Sequence, residues 1–316
     1  MKTKKLMPIF FATDERYAPA LGVALHSLLC HASDKYQIRI HILTEGLSEA
    51  TRERLLATVG GRAELSFIHM RERIAPIADR LALRSYYSSA TYFRLYISEL
   101  FPEYDKALYL DCDIVLNGDV TALYDVPLGD ALVAAVPEDV MRRIDVFGRY
   151  VEAVMDIPRE VFFNAGVLVM NLAAFRRERI LDRFLALLSI RRFTVTQDED
   201  YLNVLCYGKT VLLSDTWNTS PLAEEGEVEG VPALVHYKLD RKPWHYDGVQ
   251  FGEYFWHYAN ATPFAEELRL GKAAYCDSDR ARDAASYEAL LALADEEIHR
   301  ESITPTDPRA KARCVG

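Results

Sequence analysis

The 316-residue sequence lacks both glycine-rich signatures that usually hold phosphate groups through backbone amides. No G-x-G-x-x-G follows the first predicted strand, and no G-x-x-x-x-G-K-S/T occurs anywhere in the chain. These absences exclude the usual dinucleotide-binding turn and the P-loop. A phosphate-binding site in this protein would need a bound cation or nearby basic side chains instead.

The sequence also has no excess of basic residues and no long apolar run. Its formal net charge is -10, so we expect no nucleic-acid partner. The apolar run near the start extends only from Leu6 to Ala12 and is interrupted by Pro8, which is too short for a signal peptide. No later run approaches the length of a membrane span. We therefore expect a cytoplasmic protein without a transmembrane segment, at most peripheral to the inner membrane.

Paired cysteines are missing as well. The five cysteines are scattered, odd in number and without paired spacing; they are Cys30, Cys112, Cys206, Cys276 and Cys314. This pattern favours reduced thiols in a cytoplasmic protein over a disulfide framework or a zinc site.

Strand and helix patterns alternate through the first two-thirds of the chain. Apolar or alternating runs predict strands at 9–13, 37–43, 63–70, 107–110, 131–136 and 166–172. Apolar residues at helical spacing predict helices at 17–31, 49–59, 89–101, 173–191 and 280–300. We expect an α/β fold with an open, mostly parallel central sheet flanked by helices, and a disordered tail over 304–316.

Two acids stand at the end of one of these strands. Asp111 and Asp113 follow the apolar run 107–110, one residue apart. In an open α/β sheet, ligands bind beyond the carboxyl ends of the strands. The pair could supply hard oxygen ligands for a divalent cation, or it could simply cap a turn, which short acid pairs commonly do.

Six segments of the chain, in this order, resemble the glycosyltransferases of family 8. The segments are FATDERY (11–17), TYFRLY (91–96), LYLDCD (108–113), FNAGVLVMN (163–171), QDEDYLN (197–203) and HYKLDRKPWH (236–245). The resemblance covers about residues 8–258 and is to retaining bacterial enzymes that add galactose or glucose from a UDP-sugar to lipopolysaccharide and related glycans. It implies a GT-A fold over residues 1–260, followed by a helical C-terminal extension over 261–316.

The resemblance implies a metal-diphosphate site. Asp111 and Asp113 form the family's D-x-D motif and would hold Mn²⁺ or Mg²⁺ together with His236. An imidazole ligand suits Mn²⁺ better than Mg²⁺. Lys242 would meet the diphosphate and stabilise departing UDP. Without the family pattern, His236 and Lys242 would be interpreted as a packing histidine and a surface lysine.

The resemblance also places the nucleotide just after the first strand. Ala12, Thr13, Asp14 and Tyr17 correspond to uracil- and ribose-binding positions, and Cys112 is included because it is the middle residue of the D-x-D motif. Asp14 is also suited to cap the following helix, and this role is compatible with nucleotide binding.

Further positions correspond to contacts with the donor sugar. Arg94 matches an arginine that contacts sugar and phosphate, with a surface ion pair as the alternative. Asn164, Ala165 and Gly166 match an Asn-Ala-Gly segment that lies along the sugar. Gly166 could instead mark a bulge at the strand entry.

The acids of QDEDYLN are the catalytic candidates. Asp198 matches a residue that binds sugar hydroxyls, and Glu199 stands beside the anomeric carbon, where the family often has Gln. Glu199 makes a covalent glycosyl-enzyme chemically possible, but we favour same-face attack through an oxocarbenium-like ion pair. Three acids at a helix start are otherwise ordinary solvated charges.

The chain departs from the family pattern again in the loop after His236. Leu239 replaces a glycine of the H-x-x-G-x-x-K motif, which leaves the path of this loop open. Glu138 stands where the family has an acid that contacts the acceptor, with Asp139 as a rival. An aromatic segment at 244–256 could line an acceptor site or could be packing.

The predicted function is therefore metal-dependent, retaining transfer of a hexose from a UDP-sugar to a saccharide acceptor. Two alternatives remain. The first is a nucleotide-sugar hydrolase or a nucleotidyltransferase that uses the same acid pair. The second is a catalytically degenerate protein that only binds sugar nucleotides.

Overall fold

The structure of the protein, a computed structural model, describes residues 4–83, 88–222 and 230–300. Its strands are β1 (Lys5–Ala12), β2 (Tyr36–Thr44), β3 (Glu64–His69), β4 (Lys106–Leu110), β5 (Ile114–Leu116), β6 (Val133–Pro137), β7 (Phe163–Asn171), β8 (Thr210–Leu212) and β9 (Leu234–His236). Its α-helices are α1 (Ala18–His31), α2 (Glu49–Val59), α3 (Arg71–Ile74), α4 (Ile97–Leu100), α5 (Val120–Tyr124), α6 (Asp139–Arg143), α7 (Asp145–Met155), α8 (Leu172–Arg177), α9 (Ile180–Ile190), α10 (Asp198–Cys206), α11 (Gly252–Ala259), α12 (Ala265–Ala274) and α13 (Asp277–Ile298). Short 3-10 helices cover Ala75–Arg80, Ser89–Tyr96 and Asp215–Trp217.

The chain divides into two compact units, each assembled from separate stretches. The first unit contains Met1–Arg71, Ala107–Val126 and Ser214–Asp283. Its strands run in the order β3-β2-β1-β4, and all of these pairs are parallel. Strand β5 pairs with β9 in an antiparallel ribbon. Strand β1 is apolar along most of its length because it lies between two neighbours with both faces covered.

The second unit contains Glu72–Lys106, Pro127–Leu213 and Ala284–Gly316. Its strands run in the order β7-β6-β8, with β6 antiparallel to β7 and parallel to β8. Strand β7 is buried from Phe163 to Met170. The Asn-Ala-Gly segment forms the second, third and fourth residues of this strand and is buried. It lies at an irregularity of the β6–β7 pairing, because Ala135 pairs with Leu168 whereas Pro137 pairs with Phe163.

The predicted α/β fold with a mostly parallel sheet and flanking helices is confirmed. Two predicted helices were wrong in detail. The segment 89–101 begins as a 3-10 helix and continues as α4. The segment 173–191 is two helices, α8 and α9, because Arg179 between them has a φ of 53°.

Other predictions concern parts that the structure does not test. The predicted disordered tail, 304–316, lies outside the described residues. The division at residue 260 stays a prediction; of the residues after it, Ala265–Ala274 and Asp277–Ile298 form α12 and α13. Within the described ranges, no helix is both long enough and apolar enough to cross a membrane.

Leu239 takes a backbone conformation that favours glycine. Its φ is 58°, in the left-handed region, within the loop that joins β9 to α11. A glycine would adopt this conformation at low cost, whereas here a residue with a branched side chain adopts it. For an L-residue this conformation costs about 1–2 kcal/mol.

We predict that Leu239→Val destabilises the protein by about 1–2 kcal/mol more than Leu239→Gly does. A β-branched residue tolerates positive φ least, whereas glycine relieves the strain and loses only backbone entropy in exchange. Urea unfolding followed by tryptophan fluorescence measures both free energies. Equal losses for the two variants would show that Leu239 is not strained.

Candidate active site

The acid pair lies where β4 ends and β5 begins. Strand β4 stops at Leu110, and the next three residues carry Asp111 and Asp113 around Cys112. The Tyr109 hydroxyl donates to Asp111 Oδ1 at 2.9 Å, and the Asp113 carbonyl accepts from the Tyr237 amide at 2.9 Å. The turn is therefore held by its neighbours on both sides, which fixes where the two carboxylates point.

His236 completes a three-ligand cluster. Strand β9 places it opposite Ile114 in the β5–β9 ribbon. Its Nε2 lies 3.2 Å from Asp113 Oδ1 and 3.9 Å from Asp111 Oδ2. One ligand atom from each of the three residues lies within 4.8 Å of the others. This grouping of two carboxylates and one imidazole fits Mn²⁺.

Asn218 orients this histidine and was missed by the sequence analysis. The Asn218 Oδ1 lies 2.9 Å from His236 Nδ1. Because a carbonyl oxygen only accepts, Nδ1 donates to Asn218, and Nε2 is the ring nitrogen that faces the two aspartates. Metal-binding histidines are usually oriented by such a partner on their other nitrogen. Nothing in the sequence around Asn218 indicated this role.

Lys242 contacts the same acid pair. Its Nζ donates to Asp113 Oδ2 at 2.5 Å and to the Tyr237 carbonyl. Burial alone would raise the pKa of Asp113, but the charges of Lys242 and His236 hold it well below its usual range. Asp113 is thus a carboxylate at neutral pH. Lys242 is only 4% exposed, so the interpretation as an ordinary surface lysine was wrong.

The predicted nucleotide-binding residues gather at the end of β1. The Thr13 amide donates to the Leu43 carbonyl at 3.0 Å, which continues the β1–β2 pairing past Ala12. The Cys112 thiol donates to the Ala12 carbonyl at 3.1 Å, linking the D-x-D turn to this strand end. The first unit therefore brings these residues to the same strand edge.

Asp14 and Tyr17 lie just before α1. The Asp14 carboxylate accepts from the Tyr17 amide at 2.9 Å and so closes the turn before α1, whose N-cap residue is Tyr17. The Tyr17 ring meets Trp244 edge-to-face, with 6.4 Å between centroids. Tyr17 thereby connects the β1 end with the loop that carries Lys242.

Arg94 belongs to a buried cluster in the second unit. Its side chain is 3% exposed, so the alternative of a surface ion pair was wrong. The Arg94 Nε lies 3.0 Å from Asp198 Oδ2, and another guanidinium nitrogen donates to the Ala165 carbonyl. Because the ion pair is buried, removing either partner would leave an uncompensated charge.

Glu199 binds the Asn-Ala-Gly segment directly. Its Oε2 accepts from the Ala165 amide at 2.8 Å and from Asn164 Nδ2 at 3.1 Å. Asn164 Oδ1 in turn accepts from the Gly166 amide at 2.9 Å. The catalytic candidate and the segment predicted to lie along the donor sugar therefore form one hydrogen-bonded network, which the sequence alone did not reveal.

Glu138 is part of this network. Its Oε2 accepts from Asn164 Nδ2, while its Oε1 accepts from the Val140 amide at 3.1 Å and caps α6. Asp139 lies 3.9 Å from the Arg143 guanidinium instead. Of the two acids that were weighed for the acceptor position, Glu138 is the one joined to Asn164.

Asp200 is the third acid of this segment and has a structural position. It is fully buried and accepts from the Tyr150 hydroxyl at 2.9 Å, the Thr196 amide at 3.1 Å and the Thr196 hydroxyl at 2.6 Å. Burial raises its pKa to about 6, against the lowering effect of these hydrogen bonds. The interpretation of the three acids as solvated charges was wrong, since all are buried.

Gln197, immediately before α10, is strained. Its φ is 58°, and its side-chain amide is buried without a hydrogen-bond partner among the residues that the structure describes. Strained backbone and unsatisfied polar groups concentrate at functional positions. This supports a functional role for the start of α10.

The aromatic segment is mainly packing. Trp244 and Phe255 lie 4.9 Å apart, Phe255 meets Trp256 edge-to-face at 5.6 Å, and Phe255 is completely buried. These contacts hold the loop after β9 against α11. That the segment also lines an acceptor site stays a prediction.

We predict that the wild type loses stability relative to Asp200→Asn as the pH rises from about 4 to about 6. The folded state favours protonated Asp200, because its pKa is raised from 3.8 to about 6. At 1.36 kcal/mol per pH unit, the relative loss is about 3 kcal/mol, and it is complete above the folded pKa. Urea unfolding at several pH values measures it.

The exposed acid Asp130 provides the control, since Asp130→Asn should follow the wild-type profile. A constant difference between wild type and Asp200→Asn from about pH 4 to about pH 7 would contradict the raised pKa.

Comparisons with known proteins agree with this geometry. The model of "Glycosyl transferase family 8" matches residues 8–248. Lipopolysaccharide 1,2-glucosyltransferase of Escherichia coli (strain K12) is 26% identical, over 78% of this chain and 75% of that protein. Lipopolysaccharide 1,3-galactosyltransferase of Salmonella typhimurium (strain LT2) is 24% identical, over 81% and 79%. Other relatives are longer, and the chain covers 24% of one streptococcal glycosyltransferase.

Among solved structures, an active-site glutamine-to-glutamate mutant of LgtC superposes with a TM-score of 0.69. It is 30% identical to this chain, and the match covers 81% of this chain and 96% of LgtC. The likeness confirms the predicted GT-A type of fold. With the family model matching more than half of the sequence, the chain belongs to glycosyl transferase family 8.

Proposed function

We propose that this glycosyltransferase is retaining and metal-dependent, and that it transfers glucose or galactose from a UDP-sugar to a saccharide acceptor. The observation that carries the proposal is the Asp111-Asp113-His236 cluster with Lys242 beside it. The two lipopolysaccharide enzymes named above, one a glucosyltransferase and one a galactosyltransferase, support the choice of hexose. Synthesis of a cell-surface glycan in the cytoplasm, with the protein at most peripheral to the inner membrane, is the proposed setting.

The first unit supplies the residues for the nucleotide diphosphate. Asp111, Asp113 and His236 would hold Mn²⁺ or Mg²⁺, and the imidazole favours Mn²⁺. A bound divalent ion neutralises charge on the diphosphate, which makes UDP a better leaving group. Lys242 adds a second cation close to Asp113. The strand end with Ala12, Thr13, Asp14, Tyr17 and Cys112 is the proposed nucleotide-binding edge.

The second unit supplies the residues for the sugar. Arg94 and Asp198 form a buried ion pair, and charged groups of this kind make strong hydrogen bonds to sugar hydroxyls. Asn164, Ala165 and Gly166 present a backbone segment that is held in place by Glu199. Because these residues are held by hydrogen bonds and an ion pair, they are suited to fix the orientation of the donor sugar.

The proposed chemistry retains the configuration at the anomeric carbon. The bond from this carbon to the UDP oxygen breaks, and its electron pair leaves with UDP. An acceptor hydroxyl attacks on the same face and passes its proton to the departing phosphate oxygen. Acidic side chains such as Asp198 and Glu199 stabilise the positive charge that develops on the sugar.

The contacts of Glu199 support this route over a covalent one. Its Oε2 already accepts two N–H groups, from Ala165 and Asn164. Hydrogen bonding lowers the nucleophilicity of a carboxylate oxygen, and it gives the residue a clear task in positioning the Asn-Ala-Gly segment. A glutamine carbonyl could accept the same two hydrogen bonds.

We predict that UDP release from UDP-glucose or UDP-galactose requires Mn²⁺ and falls at least about a hundredfold in Asp113→Asn. The variant removes one ligand charge and the partner of Lys242 while it preserves the side-chain shape. Coupled detection of UDP, with Mn²⁺ or with EDTA, measures the rate. Asp34→Asn, at a fully exposed acid of the same unit, should leave the rate unchanged.

Several outcomes would contradict this function. Pyrophosphate formation from UTP and a sugar phosphate would identify a nucleotidyltransferase. Release of free sugar that no saccharide acceptor accelerates or redirects would identify a hydrolase. Binding of UDP-sugars without turnover of any would identify a non-catalytic protein.

We predict that Glu199→Gln keeps kcat within about tenfold of wild type, whereas Glu199→Ala loses at least about a hundredfold. The glutamine retains both acceptor contacts and gives up only the charge, but alanine removes the acceptor of the buried Ala165 amide and one of the two acceptors of the Asn164 side-chain amide. Steady-state kinetics with the better donor measures both values.

Intact-mass spectrometry of the wild type incubated with donor alone is the companion measurement. A hexose adduct on the protein, absent in Glu199→Gln together with all turnover, would establish the covalent route instead.

A further inference from the structure

Asp283 is a buried acid far along the chain from the metal cluster. It lies in the second turn of α13 and is 8% exposed. Its Oδ2 accepts from two tyrosine hydroxyls, those of Tyr246 at 2.8 Å and Tyr275 at 2.5 Å. Burial and then these hydrogen bonds raise the pKa of both tyrosines, so both remain protonated donors.

Tyr246 is directly connected to the turn that carries Lys242. Its amide donates to the Lys242 carbonyl at 2.9 Å, and the His245 amide donates to the same carbonyl at 3.0 Å. The Lys242 amide donates to the Asp240 carbonyl at 2.7 Å. The backbone of Lys242 is thus the centre of a compact turn whose last residue is fastened to Asp283.

Tyr275 provides a second connection to the same turn. Its ring stacks on the His245 ring, with centroids 4.0 Å apart and an angle of 8° between the planes. The Tyr275 hydroxyl then reaches Asp283. Two adjacent residues of the turn, His245 and Tyr246, are therefore tied to one carboxylate, one through a ring and one through a hydroxyl.

We propose that Asp283 is a positioning residue for Lys242: through Tyr246 and Tyr275 it holds the 240–246 turn so that the Lys242 ammonium stays beside Asp113. The role in catalysis rests on the proposed function, whereas the role in holding the turn does not. Holding a charged group in place before reaction avoids reorganisation at the moment when charge develops. The helix after residue 276 thereby contributes to the site without touching the reacting groups.

The first test is limited proteolysis with trypsin. Arg241 is exposed and lies inside the turn, whereas cleavage after Lys242 is blocked by Pro243. Loosening the turn should raise cleavage after Arg241, because proteolysis follows the population of the open form. We expect about a tenfold faster cleavage at Arg241 in Asp283→Ala and a smaller increase in Tyr246→Phe, with Asp283→Asn between wild type and Asp283→Ala.

Two controls make this result specific. Glu288→Ala changes an exposed acid on the same helix and should cleave like the wild type. The Tyr246→Phe/Asp283→Ala double variant should cleave at Arg241 no faster than Asp283→Ala, because both changes remove the same contact. Unchanged cleavage at Arg241 in both Asp283→Ala and Tyr246→Phe would overturn the proposal.

The second test is kinetic. With the turn loosened, we expect kcat for UDP release to fall about tenfold in Asp283→Ala and to recover partly in Asp283→Asn, while KM for the donor changes less than kcat. Thermal unfolding is measured for each variant. The catalytic part of the proposal is wrong if kcat falls only in proportion to the loss of thermal stability and falls equally in Glu288→Ala. Asp283 would then only anchor the helix.

The two tests also separate this inference from the proposed function. If the wild type turns over no UDP-sugar, the proposed function fails, and faster cleavage at Arg241 in the variants would still establish how the turn is held. If the wild type is active but neither cleavage nor kcat responds to Asp283, the positioning role alone is rejected.

Discussion

Two like charges placed one residue apart at the end of a buried strand must be compensated, and much of the first unit is arranged around this requirement. Asp113 receives a lysine on one oxygen and faces a histidine with the other. These partners come from the end of β9 and from the loop that follows it, more than a hundred residues further along the chain. Because a buried unpaired carboxylate costs several kcal/mol, the position of that loop is coupled to the acid pair.

In the second unit, buried carboxylates are likewise compensated, but by a different set of groups. Its acids are buried at the start of α10, and each has a distinct partner: a guanidinium for Asp198, backbone and side-chain amides for Glu199, and hydroxyls for Asp200. Because each carboxylate has its own compensating groups, the repulsion between neighbouring negative charges is offset at each residue. The same segment can therefore combine charge for the proposed sugar site with a structural acid that titrates near pH 6.

Both units rely on residues that hold other residues of the site in place. Asn218 orients the ring of His236, and Glu138 shares the Asn164 amide with Glu199. Such supporting groups hold ligands and substrates to within a fraction of an ångström, which is the precision that transfer chemistry needs. Substitutions at these positions are thus expected to affect kcat more than the fold.

Three features could be predicted from the sequence alone: the α/β alternation, the acid pair at a strand end and, through six ordered segments, the family. These are local or order-dependent features, so spacing along the chain records them. Three features are visible only in three dimensions: the hydrogen bond from Lys242 to Asp113, the hydrogen bond from the Ala165 amide to Glu199, and the burial of Asp200 as a structural acid. Contacts between residues far apart in the chain, and the burial that shifts their charges, depend on packing in three dimensions, which periodicity and spacing do not encode.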